Sequence, residues 1–257
     1  MGKRLIQQAR GKGGPTYRAP SFRYLGEAKY VSLENQTLNG KIIDIVKCQG
    51  HSSPLAYVEY ENGRSCYLIA PENIRLGDEI QIGSEAQINP GNVLPLENIP
   101  EGTFVFNIEQ VPGDGGKFVR STGTFAKVIG QVKDGIVVQL PSKKKKTFNP
   151  KSRASIGIVS AGARKEKPFL KAGNKYHAMR ARNKLYPKIS GAAQNAVDHP
   201  FGNSRTSRKS KARPAPKNAP PGRKVGMLRP KHTGRNKWKW QEKNLHIEEK
   251  IWKNCKN

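Results

Sequence analysis

Apolar positions along the chain fall in short runs rich in β-branched residues, separated at close intervals by glycine, proline and asparagine. Lys41-Ile42-Ile43-Asp44-Ile45-Val46 has the composition of a strand. Leu55–Tyr60 and Ser65–Ile69 flank Asn62-Gly63, and both turn residues tolerate positive φ, which predicts a tight hairpin. Gly77–Gly83 and Thr103–Ile108 add two short strands, so a small closed barrel is predicted over 36–110. The pattern then repeats. Phe125–Ile129 and Ile136–Leu140 bracket Asp134-Gly135, and Ser155–Val159 follows, which predicts a second barrel over 111–185. A short basic helix is expected near Ala172–Leu185. The expected class is mostly β.

The two ends carry no such pattern. Residues 1–35 contain Gly11-Lys12-Gly13-Gly14-Pro15, and 186–257 are crowded with Lys, Arg, Pro and Gly. Such segments bury too little apolar surface to offset the entropy of ordering them. They are expected to be disordered alone and extended when bound. Tyr17, Phe22, Tyr24, Trp238 and Trp240 sit among the charges, where stacking on bases is a natural use of an aromatic ring. Basic RNA-binding arms fit better than a solubilising tail. The last stretch, Lys237–Asn257, reads as a short helix.

Charge sharpens the picture. The chain of 257 residues carries +28 from 47 basic and 19 acidic side chains, unevenly placed. Residues 1–35 hold seven basic and two acidic groups, and 36–110 hold four against ten. Residues 111–185 hold eighteen against three, and 186–257 eighteen against four. An acidic module thus stands between basic ones, presenting its face to solvent or protein rather than to phosphate. The basic segments call for a polyanion, and nucleic acid binding is favoured by counterion release. A membrane surface is the competing polyanion, but the sequence shows neither a spanning apolar stretch nor a clean basic amphipathic helix. The N-terminus has no secretory core. Cys48, Cys66 and Cys255 are odd in number and far apart, as expected of reduced thiols in a soluble intracellular protein.

Several segments go beyond general chemistry. These are Gly14–Pro20, His51–Ala56, Tyr60–Gly63, Ile69–Glu72, Gly91–Leu96, Ile99–Thr103, Asn107–Glu109 and Pro112–Thr124. Arg153–Gly157, Glu166–Phe169, Ala196–Gly202 and Asn218–Lys224 follow in order. Together they resemble the second protein of the large ribosomal subunit, a family found in all ribosomes, in its archaeal or eukaryotic-type version. Gln194, Ser190 and Gly202-Asn203-Ser204 depart from the family pattern.

The resemblance implies an oligonucleotide-binding-type barrel followed by an SH3-like barrel, with long basic N- and C-terminal extensions. It implies a structural constituent of the large subunit, cytoplasmic with the ribosome, whose arms thread into large-subunit rRNA. Neighbouring large-subunit proteins, and the small subunit at an intersubunit bridge, are implied as partners, with no membrane and no small-molecule substrate. No intrinsic cofactor or protein metal site is implied, although magnesium ions bridging to rRNA are compatible with it. Asn195, Asp198, His199 and Pro200 are expected near the peptidyl-transferase centre.

Candidate RNA contacts follow the charge. In the N-terminal arm they are Arg4, Arg10, Lys12, Tyr17, Arg18 and Arg23. In the second module they are Lys117, Arg120, Lys143, Lys144, Lys145, Lys146, Arg153, Arg164, Lys167, Lys175, Arg180 and Arg182. Along the C-terminal arm they are His199, Arg205, Arg208, Lys209, Arg213, Arg223, Lys224, Arg229 and Arg235.

Asp198-His199 invites a catalytic reading, since a carboxylate can orient an imidazole. Adjacent residues rarely face each other productively, and no nucleophile accompanies them. His199 is read as a structural contact to rRNA, with no catalytic residue and no enzyme activity expected. The other histidines lack metal-ligand spacing. Pro112–Lys117 lacks the Walker spacing, so it reads as an interdomain turn exposing backbone amides to RNA phosphate. An elongation factor can join the same two barrel types, but long basic arms at both ends argue against it. A general nucleic-acid coating protein would not need two barrels.

Overall fold

The strands follow the apolar runs closely. In the first half are β1 (Leu38–Val46), β2 (Leu55–Tyr60), β3 (Ser65–Ile69), β4 (Glu79–Ile82) and β5 (Val93–Pro95). In the second are β6 (Phe104–Phe106), β7 (Ala126–Val132), β8 (Gly135–Gln139), β9 (Lys145–Phe148) and β10 (Arg153–Ile156). The computed structural model describes residues 6–32, 37–133, 135–202, 214–220 and 222–229. It divides into two compact units, Ala19–Tyr186 and Met1–Arg18 with Pro187–Asn257.

All ten strands join in one sheet, in the order β3-β2-β1-β4-β5-β10-β6-β7-β8-β9. It curls around two larger cores, with a smaller third cluster of Ala28, Cys48, Leu55, Ile69, Phe106 and Val159. Ile42, Val58, Leu68, Ile80, Ile82 and Val93 fill the first. Leu94, Val105, Val128, Ile136, Val138 and Ile156 fill the second. The result is an oligonucleotide-binding-type barrel followed by an SH3-like barrel. Each fully buried aliphatic side chain of this kind contributes about 1.5–3 kcal/mol over leaving it in water.

Bulges make the curl. β1 pairs with β2 through a register shift between Ile42 and Asp44, and β7 with β8 through one between Val128 and Gly130. An extra residue bends a strand and increases its twist. In β1 it also leaves Ile43 and Asp44 both exposed, although they are consecutive.

Some pairings differ from the linear reading. The run Thr103–Ile108 is assigned by its sequence to the first barrel, yet β6 within it pairs with β7 and β10 of the second. β10 in turn pairs with β5. A run of apolar residues specifies a strand but not its partner. β5 and β9 were not expected. β5 is three residues ending in proline, and β9 is Lys145-Lys146-Thr147-Phe148, where charge obscures the alternation.

The expectation that 1–35 would find no core fails at its inner end. Ala28 and Tyr30 are buried. The Tyr30 hydroxyl donates to the Asn107 carbonyl at 2.7 Å and lies 2.8 Å from Ser155 Oγ. The segment has no core of its own and completes that of the barrels. The basic helix appears within the expected stretch, over Ala172–Arg180. Lys237–Asn257 lies outside the described residues.

Candidate nucleic-acid interface

The centre of the barrel pair is held by ions rather than exposed to them. Glu109 is fully buried, and Arg153 donates to it from Nε at 3.1 Å, from Nη2 at 2.7 Å and from its backbone N–H at 2.9 Å. Arg153 Nη1 donates to the Val31 carbonyl. Glu109 also accepts from the amides of Gly113 and Gly115. Arg153 was expected to meet RNA. It does not reach the surface, because a guanidinium so enclosed has its donors committed to protein.

Arg120 is similar, with donations to the carbonyls of Gly116 and Ala28 at 2.9 Å each. The turn at 110–117 also departs from expectation. Its amides are occupied: Gln110, Val111 and Gly116 donate to Asp114, while Gly113 and Gly115 donate to Glu109. Burial opposes ionisation of Asp114. The amides of Gly116, Gln110 and Val111, with Lys117 at 3.4 Å, outweigh it and hold this carboxyl below the usual range. The turn is built around its own carboxylates, so those amides are not offered to phosphate.

Two more arginines tie down the loop after β1. Arg182 donates to the carbonyls of Gln49 and His51, and Arg164 to that of Ser52. Tyr24 donates its hydroxyl to the Ala181 carbonyl and lays its ring against Gly50, where an added Cβ would fall 2.5 Å from a ring carbon. His51 is half-buried, and burial followed by the charges of Arg120 and Arg182 depresses its pKa. Arg164 and Arg182 therefore act first on protein carbonyls, though Arg164 stays exposed.

Exposed candidate cations of this unit cluster in two places. The turn between β8 and β9 exposes Lys143, Lys144 and Lys145. Lys143 sits at φ 63°, and Lys146 folds inward over the rings of Phe118 at 4.0 Å and Phe148 at 5.0 Å. The second place is α2 (Ala172–Arg180), preceded by exposed Lys167. No residue of α2 is buried. Arg180 is exposed and Lys175 lies 5.3 Å over the Tyr186 ring. Nine residues are too few for a stable isolated helix. Lys117 and Arg23 are exposed as well, the latter 5.4 Å over Phe22.

In the other unit, α1 (Ile6–Gly11) carries Arg10, whose guanidinium lies 5.8 Å over the Tyr17 ring. Lys12, Arg18, Arg223, Lys224 and Arg229 are exposed. Arg4, Arg205, Arg208, Lys209, Arg213 and Arg235 lie outside the described residues.

Around His199 the chain closes on itself. The amides of Asp198 and His199 both donate to the Asn195 carbonyl, and Gly202 donates to that of His199. The Phe201 amide donates to His199 Nδ1 at 3.0 Å, leaving Nε2 as the N–H donor of a neutral imidazole. The ring packs on Gly191, where a Cβ would fall 2.3 Å from Cε1. Asn195, Asp198 and Pro200 are exposed. With Nδ1 engaged by backbone, the imidazole is placed to donate rather than to act as a base.

A family model described as "Ribosomal Proteins L2, C-terminal domain" matches residues 89–219. The large ribosomal subunit protein uL2 of Methanosphaera stadtmanae is 50% identical over 241 residues, covering 92% of this chain and 100% of that protein. Its namesake in Halorubrum lacusprofundi is 49% identical over 236 residues, covering 91% and 98%. The one in Archaeoglobus fulgidus is 47% identical over 234 residues, covering 91% and 99%. The chain belongs to the ribosomal protein L2 family. Members are structural, non-enzymatic proteins of the large subunit, cytoplasmic in archaea, in the company of rRNA and other ribosomal proteins. Among the described residues of this L2-family chain no helix is long and apolar enough to cross a membrane. Nor do three His, Cys, Asp or Glu side chains there come together to hold a metal ion.

Sequence reasoning assigned no structural role to the residues that organise this surface, Glu109 above all. A lone carboxylate in an acidic module carries no local sign that it will meet an arginine forty-four positions away.

Proposed function

We propose that this chain anchors itself in the large subunit by rRNA contacts made from the second barrel and the two arms, while the acidic first barrel faces solvent or protein. The observation that carries the reading is the placement of charge. Residues 36–110 hold ten carboxylates against four cations, whereas the exposed lysines and arginines cluster on the β8–β9 turn, on α2 and in the arms. Phosphate neutralisation is the dominant favourable term for such surfaces, and it weakens with salt. Arginine and lysine contacts from 111–235 accordingly outnumber those from 36–110.

In this reading the Asn195–Pro200 loop lies near the peptidyl-transferase centre, with the His199 Nε2–H donating to rRNA, and the protein supports subunit association at an intersubunit bridge. Its role there is architectural. Magnesium near these contacts is held by phosphate oxygens and water. The test is ribonuclease footprinting and nucleotide cross-linking of the intact large subunit. Adducts are expected on peptides from 111–235 and from the N-terminal arm. A footprint centred on 36–110 overturns the proposal.

A further inference from the structure

The strand register builds a second feature on the SH3-like barrel that the charge map alone does not reveal. Phe104 on β6 is opposite Lys127 on β7, Lys127 is opposite Gln139 on β8, and Gln139 is opposite Lys145 on β9. Facing residues on adjacent strands project from the same side of a sheet. The neighbours along these strands, Val105, Ala126, Val128 and Val138, are buried, so this row belongs to the outer face. Three strand spacings make it roughly 14 Å long.

At one end of the row the Phe104 and Phe125 rings stand 4.6 Å apart and tilted by 55°, 42% and 40% exposed. At the other end Lys145 continues into the exposed Lys143 and Lys144. Lys127 and Lys145 are exposed between and beyond, with the half-buried Gln139 amide in the middle. Glu101 is the acidic neighbour, and it lies over Gly130, on the side of Lys127 away from Phe125.

We infer that this face binds a short single-stranded segment of RNA, an unpaired base stacking on the Phe104–Phe125 pair while its backbone runs along Lys127 and Lys145. The inference rests on the rRNA reading above and gives it an address. Two exposed rings on a sheet are far more useful to a splayed base than to the fold, since stacking on aromatic side chains is how β surfaces take up single strands. A protein partner fits less well. A protein surface docking on the aromatic pair would have to desolvate the flanking lysines, whereas RNA presents an apolar base face and phosphates together. Gln139 lies where its amide can donate to and accept from a base edge or ribose.

The experiment uses the purified full-length chain, titrated with a labelled single-stranded oligoadenosine and with an abasic strand of equal length. The double substitution Phe104→Leu/Phe125→Leu is expected to weaken oligoadenosine binding about tenfold and to leave abasic binding unchanged. Phe104→Tyr/Phe125→Tyr keeps wild-type affinity for both. Lys127→Gln/Lys145→Gln weakens both probes alike and lowers the salt slope by about 1.4. A leucine pair that binds oligoadenosine as tightly as wild type overturns the site, as does a lysine pair with an unaltered slope. If the leucine pair does not fold, ultraviolet cross-linking of the wild type decides. Adducts at Phe104 or Phe125 support the site, and adducts confined to the arms refute it. Failure of the wild-type chain to bind either strand would instead remove the rRNA reading itself.

Discussion

Arg153 reaches Glu109 through Nε, Nη2 and its own backbone amide, with both side chains withdrawn from water. β10 thereby joins the strand that ends the first barrel to the one that begins the second, with the ion pair beneath the joint. Val31 and the amides of Gly113 and Gly115 complete the coordination.

Breaking one side of this pair leaves a buried charge uncompensated. Such losses cost about 3–5 kcal/mol. Arg153→Met should therefore lower the denaturation free energy of the free chain by about that much, read by urea unfolding. The salt slope of RNA binding should not change. A variant of normal stability with a shallower slope would return Arg153 to the RNA contacts.

The β8–β9 turn gives the opposite signature. Replacing Lys143, Lys144 and Lys145 with glutamine should leave stability within about 0.5 kcal/mol, since exposed substitutions rarely exceed that. It should reduce the salt slope for single-stranded RNA by about 2, from the phosphates no longer neutralised. Filter binding between low and moderate salt measures both affinity and slope. An unchanged slope would mean these lysines are only solvated.

His51 sets a pH dependence. Burial, then Arg120 and Arg182, depress its folded-state pKa below the ordinary 6.5. Between the depressed value and 6.5 the unfolded chain binds more protons, so stability is full above about 6.5 and falls as the pH drops through that window. Thermal melts across this range should show the decline in the free chain. His51→Gln should flatten it there, leaving the acid response of the carboxylates further down.

Gly191 is required by the ring it supports. An added methyl would meet the His199 imidazole at 2.3 Å, so Gly191→Ala must displace one of them. Large subunits carrying Gly191→Ala or His199→Ala are expected to assemble poorly or translate slowly, measured by sucrose-gradient sedimentation and peptide-bond formation. The free chain should show no turnover in either form. Wild-type behaviour from both variants would remove His199 from any role near the peptidyl-transferase centre.

Much of the architecture is legible before folding. The apolar and aromatic runs at 41–46, 55–60, 65–69 and 136–140 become strands, and Asn62-Gly63 becomes the turn between β2 and β3. These are local preferences, readable because side-chain alternation and positive φ are properties of a few consecutive residues. The charge map is equally local. Only the tertiary structure decided which cations remain available. Arg153 and Arg120 look like Lys143 and Lys144 in one dimension, yet the first two are enclosed by carbonyls and a carboxylate while the last two meet solvent. The row Phe104–Lys127–Gln139–Lys145 likewise exists only once four strands have fallen into register. Composition sets how much positive charge the chain carries, but long-range pairing sets where it points, because a strand's partner is chosen by packing across the whole sheet.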